Sequence, residues 1–341
     1  MTHNTMMAMR VAPGAGQLAL EAVPAPKPAA GEVVIRVAAS GVCRADVGTS
    51  RTTDAQVPVT PGHEIAGVIS AIGEGVSGWD LGDRVAVGWF GGSCGRCGFC
   101  RTGDPGHCAE RKIPGISYPG GWAEQILVPA DALARVPDGL DFFDAAPLGC
   151  AGVTTFNAIR RAQIPAGSRV AVFGVGGLGH LAVQFAARLG YEVVAIARGE
   201  DREPLVRQLG ASHYIDSASV DPGEALSELG GADLILSTAS NTAPVSALVP
   251  GLRVHGRLVL IGVDGGSVDI PAADLVMKSI SVTGHLTGSA LDIEETMKFA
   301  VQHGIRPVVE RMPLEAAAEA VERIEQGLPR FRIVLAAQGT R

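Results

Sequence analysis

The chain has 341 residues, of which 47% are hydrophobic and 18% charged, and carries a net charge of −7. That is enough apolar material to fill two domains of ordinary size. The acidic balance and the lack of any long basic run exclude a nucleic-acid partner, whose phosphates need clustered Lys and Arg.

The opening residues, MTHNTMMAMR, lack the charged start, apolar stretch and small-residue cleavage site of a secretory signal. Apolar runs such as 169–173 and 258–263 are strand-sized and too short to span a bilayer, so no membrane partner and a cytoplasmic location are expected. Up to about residue 144, short β-prone runs at 32–38, 64–72, 84–87 and 122–128 are broken by Gly and Pro, an all-β pattern. From residue 169, strand and helix alternate: strands at 169–173, 192–197, 233–237 and 258–263, helices at 178–189 and 203–209. That alternation predicts an α/β region with a parallel sheet and crossover helices. Helical periodicity returns at 293–303 and 314–326, and 331–335 reads as a last strand.

Within the first region stands GGSCGRCGFCRTGDPGHC, which places Cys94, Cys97, Cys100 and Cys108 in one glycine-rich stretch. Two CxxC steps and a fourth thiol suit a closed tetrahedral zinc site. Thiols stay reduced in the cytoplasm, so metal is a better reading than a disulfide framework. The lobe 91–112 is therefore expected to be held by structural zinc.

The strand RVAVF runs into Gly174, Val175, Gly176, Gly177, Leu178 and Gly179, a GxGxxG between strand and helix. The first glycine permits the turn, the second lets a pyrophosphate reach the backbone, and the third lets helix pack on strand. The helix N-terminus then offers free N–H groups to a diphosphate. At the end of the next strand, where a carboxylate would take the ribose 2′-hydroxyl of NAD, the sequence has Ala197 and then Arg198. A missing carboxylate and an adjacent guanidinium favour NADP over NAD, although Glu200 and Asp201 follow closely.

Cys43, His63 and Cys150 remain. One imidazole and two thiolates would make a three-ligand zinc site with an open fourth position, as catalytic zinc requires. Spacing alone leaves the bland reading open, because a lone Cys is commonly a small core hydrophobe.

The run Gly62, His63, Glu64, Ile65, Ala66, Gly67, then Gly73 and Val76, resembles the zinc signature of the medium-chain alcohol dehydrogenases. GVCRAD around Cys43, the four-cysteine loop, LGCAGVTT around Cys150 and VFGVGGLG follow in that family's order. The resemblance implies a GroES-like, β-rich catalytic domain from 1–151 and 290–341 and a Rossmann cofactor domain from 152–289. It implies two zinc ions per subunit, catalytic on Cys43, His63 and Cys150 and structural on the cluster. It also implies hydride transfer between a nicotinamide and an alcohol or carbonyl carbon of a small molecule, in a homo-oligomer, tetramer or dimer.

The same resemblance assigns Glu64 to a place behind the zinc, able to approach it, and Asp46 to orienting the ligand histidine. It assigns Arg44 and Arg332 to the coenzyme diphosphate, Thr154 and the strand end from Ile261 to Val263 to the nicotinamide, and Trp89 and Phe90 to the substrate pocket. Ala45 departs from the pattern, since relatives carry Ser or Thr there to pass the alcohol proton outward, and Gly48 falls where many carry a relay histidine. Water or the hydroxyls of Thr49 or Ser50 would have to take over, or the favoured reaction is reduction of an iminium or a conjugated C=C bond. From another class, a zinc-stabilised structural or binding protein without chemistry would have no use for the open trio.

Overall fold

The computed structural model describes residues 5–14, 16–53, 58–262 and 265–337. The chain divides into two compact units, Met1–Val153 with Gly288–Arg341, and Thr154–Thr287.

In the first unit, strand Glu32–Val42 is the organising element, because its length lets it pair with three others. It runs antiparallel to Ile65–Ile72 on one side and to Arg332–Ala336 and Gln125–Pro129 along different parts of its length. Alternation at Val33, Ile35 and Val37 puts these side chains into one core with Ile65, Ile69, Val85 and Ile126. A second core gathers Val42, Trp122, Ile333 and Leu335 under the helix Ala317–Glu325, which presents Ala317, Ala320 and Val321 at helical spacing. The strand from the far C-terminal end thus lies beside Val42, and Cys43 follows it directly.

The second unit carries a six-stranded parallel sheet, ordered His213–Asp216, Glu192–Ala197, Arg169–Phe173, Ala232–Ser237, Leu252–Leu260 and Ser281–Gly284. Near-continuous apolar strands such as RVAVF are what a sheet covered on both faces demands. Chain order reverses beside Arg169–Phe173, the switch point at which doubly wound sheets bind dinucleotides. The fold is thus a GroES-like β-rich part with a Rossmann-type part, as the motifs implied.

Several elements differ from the sequence reading for local reasons. The run at 122–128 enters its ladder only at Gln125, since Trp122 N–H donates to Pro61 O and Glu124 N–H to Met7 O. The helix expected from residue 293 begins at Ala290, where Ser289 and Asp292 form a reciprocal cap. Residues 314–316 form a tight 3-10 turn after Pro313 before the helix proper. The β-rich region also holds a helix, Arg44–Ser50. No helix among the described residues is long and apolar enough to cross a membrane.

Candidate active site

Cys43, His63, Glu64 and Cys150 converge, with one ligand atom from each lying within 4.8 Å of all the others. Each arrives by a different local device. Cys43 caps the helix Arg44–Ser50, and its N–H donates to Asp46 Oδ2 at 2.9 Å. The other carboxylate oxygen of Asp46 accepts from His63 Nδ1 at 2.9 Å. One buried carboxylate therefore fixes both the backbone of Cys43 and the orientation of the His63 ring, which leaves Nε2 facing the cluster as a candidate metal donor.

His63 is reached through Gly62, whose φ of +103° favours glycine and whose absent Cβ would lie 2.4 Å from Trp122 Cδ1. Cys150 sits inside a π-helical turn, Leu148–Gly152, between two α-helical segments. Such turns admit an extra residue and re-aim side chains, which is why they recur at functional sites. Gly88 lets this turn approach, since a Cβ there would stand 1.9 Å from Gly149 O.

The four groups and their neighbours share protons and charge among themselves. Cys43 is held well below the usual thiol range by a hydrogen bond from Cys150 and by the charges of His63 and Arg332, against the opposing effect of burial. The Cys150 thiol is pushed up by sharing that proton and by burial. Burial pulls His63 down, but Asp46 and Cys43 outweigh it and hold the imidazole well above its ordinary value. Among the buried polar atoms, His63 Nε2 and Glu64 Oε2 have no hydrogen-bond partner. Two sulfurs, one unpartnered imidazole nitrogen and a spare carboxylate oxygen form a donor set that fits zinc.

Glu64 is raised to about 7 by burial, opposed by Arg332, whose guanidinium bonds its Oε1. Gly41 makes room for this carboxylate, because a Cβ at that position would fall 2.0 Å from Glu64 Oε2. Arg332, expected at the coenzyme diphosphate, is only 3% exposed and engaged with Glu64, while its Nε has no partner. Arg44 is exposed on the helix after Cys43.

Cys94, Cys97, Cys100 and Cys108 also converge within 4.8 Å, with Sγ separations of 3.5 Å for Cys97–Cys100 and Cys94–Cys108 and 4.0 Å for Cys94–Cys100. Backbone N–H groups of Arg96 and Cys97 lower Cys94 to about 6, as a thiolate ligand needs. Two bonds close the lobe at its base: Gly91 N–H to Lys112 O and Lys112 N–H to Gly92 O, each 2.9 Å.

In the second unit the three motif glycines behave differently. Gly174 has φ +92° at the turn, and a Cβ on it would meet Ala239 N at 2.9 Å. Gly176 has nothing within 4 Å of such a Cβ, which leaves its backbone open to a ligand, whereas one on Gly179 would strike Gly174 O at 2.0 Å. Gly177 and Leu178 complete the turn before helix Gly179–Arg188. Arg198 is exposed just past strand Glu192–Ala197, Thr154 Oγ1 donates to Thr287 Oγ1 at 3.2 Å, and Ile261 N–H donates to Ser237 O at 3.0 Å. Val263 lies outside the described residues.

The family model for an alcohol dehydrogenase GroES-like domain matches residues 29–138, and that for a zinc-binding dehydrogenase matches residues 177–302. The chain belongs to the zinc-type medium-chain alcohol dehydrogenase family. It is 41% identical over 323 residues to alcohol dehydrogenase patD of Penicillium expansum, across 94% of each chain. Its fold is similar to that of a cinnamyl alcohol dehydrogenase of Sorghum bicolor, with a TM-score of 0.89 and 30% identity over 99% of both chains. It is also similar to a cobalt- and zinc-bound thermostable alcohol dehydrogenase of Pyrobaculum aerophilum, with a TM-score of 0.87 and 29% identity over 97% of this chain and 99% of that one.

Within this alcohol dehydrogenase, Trp89 stands edge-on to His63, with ring centroids 4.8 Å apart and planes at 87°. Phe90 points into the interior at 4% exposure. Ala45 is exposed, a side chain at Gly48 would meet nothing within 4 Å, and the Ser50 hydroxyl donates back to Val47 O at 2.9 Å. Of the two hydroxyls suggested for a relay, Ser50 is therefore committed to its own helix. Sequence reasoning missed the close approaches at Gly41 and Gly88. A glycine inside or just after a strand is a signal of this kind, and Gly41, two residues before Cys43, carried it.

Proposed function

We propose that this alcohol dehydrogenase is zinc-dependent and NAD(P)-linked, with NADP favoured, and interconverts small alcohols and aldehydes or ketones. The observation that carries the reading is the buried His63 Nε2, left without a partner beside Cys43 and Cys150 while Asp46 holds the other ring nitrogen. Cys43, His63 and Cys150 would hold the catalytic zinc, Glu64 would lie against it, and the four-cysteine lobe would hold the structural ion. Bound zinc supplies a Lewis acid to the alcohol or carbonyl oxygen, and the nicotinamide exchanges the hydride. Asp46 keeps the imidazole aligned, Arg332 balances the charge of Glu64, and Trp89 narrows the approach to His63. Gly174, Gly176 and Gly179 shape the diphosphate turn, with Arg198 beside the adenosine ribose.

Metal analysis together with a screen of aldehydes, ketones and alcohols against NADPH and NADH tests the reading. Two zinc ions per chain and carbonyl turnover with NADPH are expected. One zinc without turnover would instead support a zinc-stabilised structural protein.

A second reading rests on Ala45 and Gly48, which supply no hydroxyl or imidazole to a proton relay: the favoured substrate is an iminium or a conjugated C=C bond. With a water relay and a carbonyl substrate, Ala45→Thr should raise turnover or move its pH profile. An unchanged profile favours the second reading.

A further inference from the structure

The strand end that bears Arg198 is held by its neighbour in an unusually complete way. Strands Glu192–Ala197 and His213–Asp216 are paired in register up to Ala197 and Asp216. Beyond them Arg198 is exposed and has no hydrogen bond or ion pair among the described residues. The next residue, Gly199, takes φ +72° and is clamped through both of its backbone polar groups. Its N–H donates to Asp216 Oδ1 at 2.6 Å, and its carbonyl accepts from the Tyr214 hydroxyl. Loop backbone at a strand end is ordinarily left to water, so two side chains spent on the backbone of one residue, across two successive peptide units, need a reason.

The Asp216 carboxylate accepts from two more donors, the Ala218 N–H at 2.9 Å and the Ser219 hydroxyl at 2.6 Å. Three protein donors thus share its two oxygens. The glycine turn lies beside this loop, since Gly174 N–H donates to Ile196 O at 2.9 Å.

We propose that Asp216 and Tyr214 form a latch on the backbone of Gly199 that presents Arg198 to the 2′-phosphate of NADP(H), which makes both of them positioning residues for cofactor choice. The inference rests on the NADP reading above and adds how the guanidinium is preorganised. A flexible arginine pays side-chain and loop entropy on meeting a phosphate. Fixing the peptide that follows it removes the loop's share of that cost. The hydrogen bonds from Ser219, then from Ala218 and Gly199, also hold Asp216 below the usual carboxylate range, so the latch stays ionised throughout neutral pH.

The sign of one substitution separates this role from its opposite. If Asp216 merely repelled the phosphate, Asp216→Asn would improve discrimination for it; as a latch, the same change worsens it. The measurement is calorimetric affinity of the full-length enzyme for adenosine 2′,5′-bisphosphate against adenosine 5′-monophosphate, with melting curves for every variant. Arg198→Ala should lower the ratio of the two affinities by roughly ten- to a hundredfold, the scale of a charge-assisted pair. Asp216→Asn weakens the bond to Gly199 from a charge-assisted to a neutral one, and Tyr214→Phe removes a bond outright, so each should lower the ratio by about three- to tenfold. Tyr214→Phe removes a single oxygen and decides the matter if Asp216→Asn folds poorly. A ratio that falls in Arg198→Ala but stays level or rises in both other variants overturns the latch and leaves the NADP reading intact. A wild-type enzyme that binds both ligands equally overturns the NADP reading and the latch with it.

Discussion

The two clusters of candidate metal ligands are built in opposite ways. Cys94, Cys97, Cys100 and Cys108 come from one loop, closed at its base by hydrogen bonds between Gly91, Gly92 and Lys112. Cys43, His63, Glu64 and Cys150 come from a helix cap, the approach to a strand and a π-turn, and Arg332 supports them from 268 residues away in sequence. A local cluster of four thiols saturates a tetrahedral ion and leaves it no reactivity. A dispersed one can stop at three good ligands, because the fold holds the ligands in place where the ion alone would not.

Cys43→Ser is the severest test of that contrast. It should cost a factor of at least about 10³ in kcat/KM, the scale of losing Lewis-acid catalysis. Zinc content should fall by one ion per chain while the melting curve remains that of a folded protein. If Cys43→Ser were to unfold the chain, the dispersed site would be structural as well and the contrast would collapse.

Cys97→Ser should do the reverse. If the lobe holds the structural ion proposed above, losing one of its ligands should lower Tm by on the order of 10 °C. The kcat of the molecules still folded should stay within about twofold of the parent, since no reacting group is touched. Activity lost in proportion to zinc from the catalytic position would show that the two sites are coupled.

Asp46→Asn probes what the dispersed site requires and the local one does not. Asp46 accepts from both His63 Nδ1 and the Cys43 amide. Its neutral amide can hold neither the tautomer nor the charge as well, so zinc affinity at this site should drop about 10–100-fold. Titration with a chelator should strip this ion first, and equal loss from both sites would contradict the assignment.

The same contrast explains what could be read from the sequence. The four-cysteine cluster and the glycine turn were legible because the residues that cooperate are neighbours in the chain. Strands Arg169–Phe173 and Glu192–Ala197 were legible because each is a buried apolar run with polar or glycine ends. The strands Thr5–Val11, Leu18–Pro24, His213–Asp216, Ser281–Gly284 and Val309–Pro313 were not. Several of these mix exposed and half-buried positions, so the apolar alternation is weak. Nor could the π-turn be seen, since LGCAG differs from an α-helix only in how its backbone carbonyls are taken. The meeting of Arg332 with Glu64 is a consequence of strand Arg332–Ala336 pairing with Glu32–Val42, which no local pattern announces.

The smallest expected effect concerns the support behind the π-turn. Helix Phe142–Pro147 leads directly into the turn that bears Cys150, and Asp141 caps it by accepting from Asp144 N–H at 2.8 Å. Asp144 is raised from the ordinary carboxylate value to about 6, by burial and by Asp141, with Arg306 and Arg311 opposing. Arg306 Nε lies 3.3 Å from Asp144, and Arg311 bonds Asp141 at 2.8 Å, so each carboxylate faces an arginine. Because the folded value lies above the unfolded one, the native state binds more protons between about pH 4 and 6, and stability must fall as pH rises through that window. Above it the penalty is complete. Asp144→Asn removes the titration, so the parent should gain stability relative to the variant on acidification from pH 7 to pH 4. Solvent screening of this half-buried group limits the gain to on the order of 1 kcal/mol. Denaturant melts of both proteins at several pH values would show the difference, and two parallel stability curves would mean that Arg306 and Arg311 fully neutralise the carboxylates. The four-cysteine lobe contains no part of this ion-pair group, so its resistance to chelator should be the same in both proteins across that range.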